Sequence, residues 1–184
     1  MFDTFMHVFF KKYFFIDNFD TKILDYQDKQ TSIIYRNYHE NIINLRSIIK
    51  LRNYCKKKKI KFYIADNIKL ALKINADGAY IPSFNKSITH LNYSFNKNFD
   101  IIGSAHNINE IRIKEKQRVN KIVLSSLFKK NKNYLGIYRF KILKSLTKKK
   151  LVVLGGVTKN NLKKINLVDC NNFAGITYFK KKGL

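Results

Sequence analysis

Short apolar runs recur along the chain, with polar segments of helical character between them. The runs are rich in β-branched and aromatic residues and are continuous rather than alternating, which is typical of strands buried on both faces of a parallel sheet. The predicted strands are Tyr13–Ile16, Ser32–Tyr35, Lys61–Ala65, Gly78–Ile81, Asp100–Gly103, Lys121–Ser125, Leu151–Leu154 and Phe173–Tyr178. Parallel strands that alternate with helices predict an α/β protein.

Apolar residues at helical spacing separate these strands. Ile42, Leu45 and Ile49 would lie on one stripe of a helix that extends to about Lys57, and a shorter helix would cover Ile68 to Leu72. These segments predict helices on the outside of the sheet.

Polar residues at two predicted helix starts are of the kind that caps helices. Asn107 precedes Glu110 by three residues, an asparagine version of the capping box. Thr158 is placed to cap a helix that contains Leu162 and Ile165.

Eight strand and helix units without a Pro/Gly-rich linker indicate one domain over residues 1–184, folded as a (β/α)₈ TIM barrel. Such barrels usually have about 200 residues or more, so this one must be compact. We expect a short first helix, about Thr21–Gln27, and a last helix that is truncated or missing. A doubly wound open sheet is the alternative.

The charge of the chain is strongly positive: 37 Lys and Arg against 12 Asp and Glu give a net charge of +25. Such a surface attracts polyanions, so a basic nucleic-acid-associated protein is one hypothesis. The lysines are spread over the whole chain, however, and no RNA-binding signature is visible. A Lys-, Asn- and Ile-rich composition is also what an AT-rich coding sequence produces. We therefore predict no specific nucleic-acid partner.

Other classes are excluded by the cysteines and the apolar segments. Cys55 and Cys170 lie in no CxxC motif or Cys/His cluster, which argues against a disulfide framework, zinc and redox chemistry. No run reaches the roughly 18 apolar residues that cross a bilayer. The Phe-rich start, Met1 to Ile16, is interrupted by Asp3 and by Lys11-Lys12 and has no cleavage site. We expect a cytoplasmic protein with no membrane partner.

The end of the seventh predicted strand has features of a phosphate site. In βα barrels the active site lies at the carboxyl ends of the strands, and phosphate is commonly bound after strands seven and eight. Here Gly155-Gly156 follows strand seven and precedes a helix start at Thr158, while Ile176-Thr177 ends strand eight. Glycines allow close approach to an anion, and a helix start offers unpaired N–H donors. The sequence therefore predicts a phosphate cradle.

Five segments, in order along the chain, resemble the family of thiamine phosphate synthase and the related thiazole tautomerases. They are Phe62–Ile81, Ile101–His106, Leu124–Phe128, Gly155-Gly156 and Phe173–Thr177. The resemblance extends from about Ile33 to Phe179. It implies a TIM-barrel transferase of thiamine biosynthesis, which joins hydroxymethylpyrimidine diphosphate to thiazole phosphate and releases diphosphate. Its substrates would be small phosphorylated molecules.

The resemblance also implies roles for individual residues. Arg36 matches an arginine that binds diphosphate, Asp66 matches a Mg²⁺ carboxylate, and Ser104 matches a substrate-positioning serine. The thiazole phosphate would be bound by Gly155, Gly156, Ile176 and Thr177. Lys130 and Lys132 lie near the position of a loop lysine of the family. Cations suit this reaction because it must stabilise a departing diphosphate.

Several positions depart from the family pattern. Ala65 stands where an asparagine is expected, Asn85 where the second Mg²⁺ aspartate is expected, and Tyr38 where a lysine is expected. Ser126 occupies the position of the histidine that tautomerases use for proton transfer, and His106 is interpreted as a loop or helix-start histidine. A phosphate-ligand-binding barrel that has lost synthase chemistry is therefore the alternative function.

Overall fold

The computed structural model describes residues 10–38 and 44–179, which form a closed barrel of eight parallel strands. Each strand pairs with its neighbours in chain order, and β8 pairs with β1. The strands are β1 (Lys11–Ile16), β2 (Thr31–Tyr35), β3 (Phe62–Ala65), β4 (Gly78–Ile81), β5 (Asp100–Ala105), β6 (Lys121–Ser125), β7 (Lys150–Leu154) and β8 (Asn172–Gly175). The predicted TIM barrel is confirmed, and the open-sheet alternative is wrong because the edges of the sheet pair with each other.

Helical segments join the strands on the outside of the barrel. They are α1 (Thr21–Asp25), α2 (Leu45–Lys57), α3 (Ile68–Lys73), α4 (Ile108–Lys116), α5 (Gly136–Ser145) and two 3₁₀ segments, Thr89–Asn92 and Lys159–Val168. The first helix is short, as predicted. Between β8 and residue 179 the described chain contains no helix, in agreement with the prediction for the last one.

The predicted apolar stripe of α2 is wrong in its register. Leu45 and Ile49 are 37% and 39% exposed, and Ile42 lies outside the described residues. The buried positions are Ile48, Leu51 and Cys55. The helix begins only after Asn44, whose Oδ1 accepts a hydrogen bond from the backbone N–H of Ser47. The buried face of α2 therefore consists of residues from its second turn onward, and these residues pack against the outer surface of the barrel.

The predicted last strand is too long. β8 ends at Gly175, and residues 177–179 form a turn in which the backbone N–H of Phe179 donates to the carbonyl oxygen of Ile176 at 3.1 Å. The turn brings the rings of Tyr178 and Phe179 to 4.7 and 6.0 Å from that of Phe173. Aromatic packing thus ends the strand, and Ile176 with Thr177 lies just beyond it.

Alternate residues of each strand fill the barrel or face the helices. Tyr13, Phe15, Tyr63 and Tyr80 belong to the apolar cluster inside the barrel, whereas Phe14 packs against α1 and α2 residues in a second cluster. At the amino end, the hydroxyl of Tyr63 donates to Oδ2 of Asp100 at 3.0 Å. Because the interior is closed by side chains, a ligand must bind at the other end, where the carboxyl ends of the strands meet.

Both predicted capping positions have partners within their segments. Oδ1 of Asn107 accepts from the backbone N–H of Glu110 at 3.0 Å, which confirms the cap of α4. The backbone N–H of Thr158 donates to Oδ1 of Asn161 at 2.8 Å, and the segment that follows is a 3₁₀ helix rather than an α-helix.

The described part of the chain contains no helix of the length and apolar character that a membrane crossing requires. Of the Phe-rich start, residues 1–9 lie outside the described residues, as do the terminal lysines at 180–182.

Candidate active site

The predicted site residues from the first strands lie at the carboxyl end of the barrel. Arg36 follows β2, Asp66 follows β3, and Asn85 lies in the loop after β4. Ser104 lies near the end of β5. Since the strands are parallel and adjacent, the fold brings these side chains to one half of the barrel mouth.

Arg36 is held by aromatic rings at the mouth. Its guanidinium carbon lies 4.6 Å above the ring of Phe15 and 5.9 Å from the ring of Tyr38, distances at which a cation is attracted to an aromatic face. None of the described carboxylates forms an ion pair with Arg36. Arg36 lines a pocket together with Ile176, which follows β8. The guanidinium is thus positioned without a carboxylate partner, as a residue that binds an anion should be.

Tyr38 lies beside Arg36 at the mouth and is 47% exposed. The ring of Tyr38 also contacts that of Phe84 at 5.8 Å, edge to face. Arg36 and Asp66 line two different pockets of the mouth, Arg36 one with Ile176 and Asp66 one with Asn85.

Asp66 is held by its backbone and by Asn85. It has a positive φ of 60°, and its N–H donates to the carbonyl oxygen of Tyr80 at 2.8 Å. Nδ2 of Asn85 donates to Oδ1 of Asp66 at 2.6 Å, while Oδ1 of Asn85 accepts from the N–H of Ser87 at 2.9 Å. The contact with Ser87 fixes the amide orientation, so Asn85 presents nitrogen rather than oxygen to Asp66.

This donor set restricts how a cation could bind. Among the described residues, no three His, Cys, Asp or Glu side chains form a metal-binding group. Asp66 offers one carboxylate, of which Oδ2 accepts no hydrogen bond from the described residues. Mg²⁺ is commonly bound by one or two carboxylates together with substrate phosphates. The residues therefore fit a Mg²⁺ ion shared with a substrate phosphate, but not one that needs two protein carboxylates.

Ser104 lies deeper than the other candidates. It is 5% exposed. Burial raises the pKa of the Tyr80 hydroxyl, and the neighbouring Ser104 and the charge of Arg36 oppose that rise. The ring of Tyr80 packs edge to face on Phe15, with centroids 5.2 Å apart. Ser104 thus supports the floor of the mouth, directly below the surface that carries Arg36.

The glycines after β7 lie on the opposite half of the mouth and pack against the chain itself. Gly155 and Gly156 have φ values of +101° and +75°. A Cβ at Gly155 would be 2.2 Å from Oγ of Ser126, and one at Gly156 would be 2.7 Å from the backbone nitrogen of Lys129. The carbonyl oxygen of Gly155 accepts from the N–H groups of Phe128 and Lys129 at 2.8 and 3.2 Å. These glycines allow the loop after β6 to lie against the end of β7.

That loop carries the predicted lysines. Lys130 and Lys132 are exposed in it, and it is closed by hydrogen bonds between Ser126 and the backbone of Asn133 and Leu135. The contact between Gly156 and Lys129 places the basic loop beside the glycines, so both belong to the same half of the mouth.

His106 is a helix-start residue, as interpreted from the sequence. Its Nδ1 lies 2.8 Å from Oε2 of Glu110, and the same oxygen accepts from its backbone N–H. The pair joins the end of β5 to the first turn of α4.

Two buried polar residues that the sequence did not predict, Lys114 and Gln117, bind the loop after β4 with their side chains. Because the chain contains 37 Lys and Arg, the sequence gives no reason to expect that one particular lysine on a predicted helix is buried. Only its position beneath Gly103, in the fold, distinguishes it.

Comparison with known proteins identifies the class. The sequence profile described as thiamine monophosphate synthase matches residues 22–179. The chain therefore belongs to the thiamine monophosphate synthase family. No curated protein matches the sequence significantly.

Solved structures share the fold at low sequence identity. Thiamine phosphate pyrophosphorylase from Pyrococcus furiosus is 20% identical, with a TM-score of 0.72 over 91% of this chain and 86% of that one. A native KDPGal structure is 11% identical, with a TM-score of 0.69 over 94% and 85%. The putative copper homeostasis protein CutC from Streptococcus agalactiae is 14% identical, with a TM-score of 0.67 over 90% and 98%. At these identities the likeness concerns the barrel fold.

Proposed function

We propose that this protein is a thiamine phosphate synthase-like transferase, which joins hydroxymethylpyrimidine diphosphate to thiazole phosphate and releases diphosphate. The observation that carries the proposal is that Arg36 and Asp66 follow the adjacent strands β2 and β3, so that both lie at the carboxyl end of the barrel. Membership of the thiamine monophosphate synthase family supports the same reaction class.

On the β2–β4 half of the mouth, Arg36 binds the diphosphate of the pyrimidine substrate. Its planar guanidinium can donate two parallel hydrogen bonds to phosphate oxygens, and Phe15 beneath it restricts its orientation. Asp66 is the residue that would hold a Mg²⁺ ion, through its carboxylate. When bound, that ion supplies positive charge that stabilises the departing diphosphate.

On the β6–β8 half, the backbone around Gly155 and Gly156 binds the thiazole phosphate, together with Ile176 and Thr177 after β8. Lys130 and Lys132 in the adjacent loop add positive charge to this half. Ser104 lies buried near the end of β5, beneath the two substrates, where it would help to position them. Because Arg36 and Ile176 line one pocket, the two anionic substrates would bind side by side there and present their reacting atoms to each other.

Direct synthesis tests this proposal. Purified protein is incubated with hydroxymethylpyrimidine diphosphate, thiazole phosphate and increasing Mg²⁺, and thiamine phosphate is measured by chromatography. We expect product that depends on both substrates and is abolished by chelation of the metal. Absence of product at every Mg²⁺ concentration, with folded protein, would overturn it.

One observation favours a second candidate, a barrel that binds a phosphorylated ligand without turnover. Asn85, which the family resemblance matches to a second metal aspartate, presents an N–H to Asp66. If only the phosphate cradle works, thiazole phosphate should stabilise the fold by about 2.7 kcal/mol at a hundredfold excess over its Kd. Inorganic sulfate should not reproduce this stabilisation. Ligand binding without product formation would support this candidate over the first.

A further inference from the structure

A buried lysine lies behind the β4 loop. Lys114 on α4 has a relative exposure of 0%, and its Nζ donates three hydrogen bonds. The acceptors are the carbonyl oxygens of Pro82 and Asn85, at 2.7 and 2.8 Å, and Oε1 of Gln117 at 2.8 Å. An ammonium group has three N–H donors, so all of them are satisfied.

Gln117 extends the same network along the loop. Its Nε2 donates to the carbonyl oxygens of Asn85 and Ser87, at 3.0 and 2.7 Å. Its backbone carbonyl oxygen lies 2.9 Å from Nε2 of the buried His90. The segment from Pro82 to His90 is therefore held at four points by two residues of one helical turn.

The network leads to Asp66. Asn85 is bound through its backbone by Lys114 and Gln117 and through its side chain by Asp66, at 2.6 Å. A shift of the Asn85 backbone would move its amide away from the carboxylate, because the side chain has only two rotatable bonds. The position of the amide at Asp66 thus depends on the two residues behind the loop.

The hydrophobic core alone does not require an ammonium group here. Lys114 forms no salt bridge with a described carboxylate, and burial of a cation in that state is costly. Its stem runs under β5, where a Cβ at Gly103 would lie 2.7 Å from its Cδ. A methionine would fill the same space without the cost, so the hydrogen bonds to the loop are what the lysine adds.

We propose that Lys114, together with Gln117, is a positioning residue that fixes the loop after β4 so that Asn85 donates to Oδ1 of Asp66 and leaves Oδ2 available to a ligand. The functional part rests on the proposed role of Asp66 in diphosphate binding. The geometric part concerns only the contact between Asn85 and Asp66.

Side-chain amide spectra test the geometric part without any ligand. The Nδ2 protons of Asn85 are followed by ¹H–¹⁵N NMR in the wild-type protein, in Asp66→Ala and in Lys114→Met. Asp66→Ala defines the shift that follows loss of the hydrogen bond. We expect Lys114→Met to move the Asn85 resonance in the same direction, and Lys116→Met, an exposed lysine of the same helix, to leave it unchanged.

If Lys114→Met does not fold, Gln117→Met is the alternative variant. It removes the two hydrogen bonds from Nε2 of Gln117 to the loop and keeps Lys114 in the chain. An Asn85 resonance that keeps its wild-type position in these folded variants would overturn the proposal. An Asn85 resonance that moves as far in Lys116→Met as in Lys114→Met would also overturn the proposal.

Binding of inorganic diphosphate with Mg²⁺, measured by calorimetry, tests the functional part. We expect Lys114→Met to weaken binding about tenfold and to raise KM more than it lowers kcat, with no change in Lys116→Met. A shifted Asn85 resonance with wild-type diphosphate affinity would refute the positioning role. If the wild-type protein binds no diphosphate, the proposed function fails, and the NMR result alone decides whether Lys114 positions Asn85.

Discussion

The two halves of the barrel mouth are built in different ways. On the β6–β8 half, the backbone forms the surface: Gly155 and Gly156 adopt positive φ values, and the loop after β6 lies directly on them. On the β2–β4 half, side chains form the surface: Arg36 lies on Phe15, and Asp66 binds Asn85. One half depends on backbone conformation and the other on contacts between strands.

This difference determines what each half tolerates. A backbone surface is destroyed by any side chain that its conformation or its close contacts cannot accept, so a change there affects stability first. A surface of exposed side chains can lose a functional group with little effect on folding, so a change there affects activity first. Substitutions on the two halves should therefore separate stability from catalysis.

The largest expected effect is on stability, in Gly155→Ala. The new Cβ would lie 2.2 Å from Oγ of Ser126, on a residue with a φ of +101°. Steric overlap and backbone strain together should lower the free energy of unfolding by about 3 kcal/mol. Urea denaturation measures it. Gly175→Ala is the matched control, since its Cβ would meet no atom closer than 3.9 Å and should change stability by less than about 1 kcal/mol. Equal losses in both variants would contradict the comparison.

On the other half, Asp66→Asn should lower kcat/KM about 100-fold, because the amide carries no charge for a metal or a developing cation. Asparagine tolerates the φ of 60° at this position, so the free energy of unfolding should change by less than about 1 kcal/mol. Steady-state synthesis assays and urea denaturation measure the two quantities. Asp77→Asn, before β4 at the opposite end of the barrel, should lower stability without reducing the kcat of the folded enzyme. An Asp66→Asn enzyme with wild-type kcat/KM would show that this half is not catalytic.

A smaller effect is expected for Arg36→Lys. The charge remains, but a lysine cannot donate two parallel hydrogen bonds to phosphate and lies less well on the ring of Phe15. We expect about a tenfold fall in kcat/KM, mainly through a higher KM for the diphosphate substrate. Assays in which each substrate is varied in turn locate the effect. If the KM for thiazole phosphate rose instead, Arg36 would belong to the other half of the mouth.

The last expected effect is absent at neutral pH and emerges only in alkaline solution, as a pH dependence of stability due to Lys114. Burial lowers the pKa of Lys114 to about 8, from an ordinary value of 10.5, and the charges of Glu110 and Asp66 oppose that shift. Between these two values the unfolded chain binds a proton that the folded chain does not. The contribution of Lys114 to the free energy of unfolding should therefore rise with pH from about 8 to 10.5 and be constant below that window.

The difference in unfolding free energy between the wild-type protein and Lys114→Met isolates this contribution. Buried tyrosines and cysteines with raised pKa values act in the opposite direction, but they are present in both proteins and cancel. A difference that does not change with pH would show that Lys114 titrates in the folded protein as it does in the unfolded chain.

Local pattern predicted the elements well. Continuous apolar runs such as Gly78–Ile81 and Lys121–Ser125 became strands with the predicted bounds, since strands buried on both faces need little more than apolar residues. The register of α2 was wrong because helical spacing alone allows several stripes, and packing on the barrel selected Ile48, Leu51 and Cys55. The end of β8 was wrong because the rings of Tyr178 and Phe179 pack back on Phe173.

The candidate site divides in the same way. Arg36, Asp66 and the glycines could be named from the sequence, because strand order in a barrel sends every strand end to one mouth and motif residues follow those ends. The orientation of the Asn85 amide toward Asp66 and the burial of Lys114 behind it could not. These contacts join residues 19 and 29 positions apart, and their geometry depends on how β4, β5 and α4 pack. By itself the sequence determined which residues reach the mouth, whereas the tertiary structure decided which atoms they present there, because hydrogen bonds act only at short range between groups that folding has brought together.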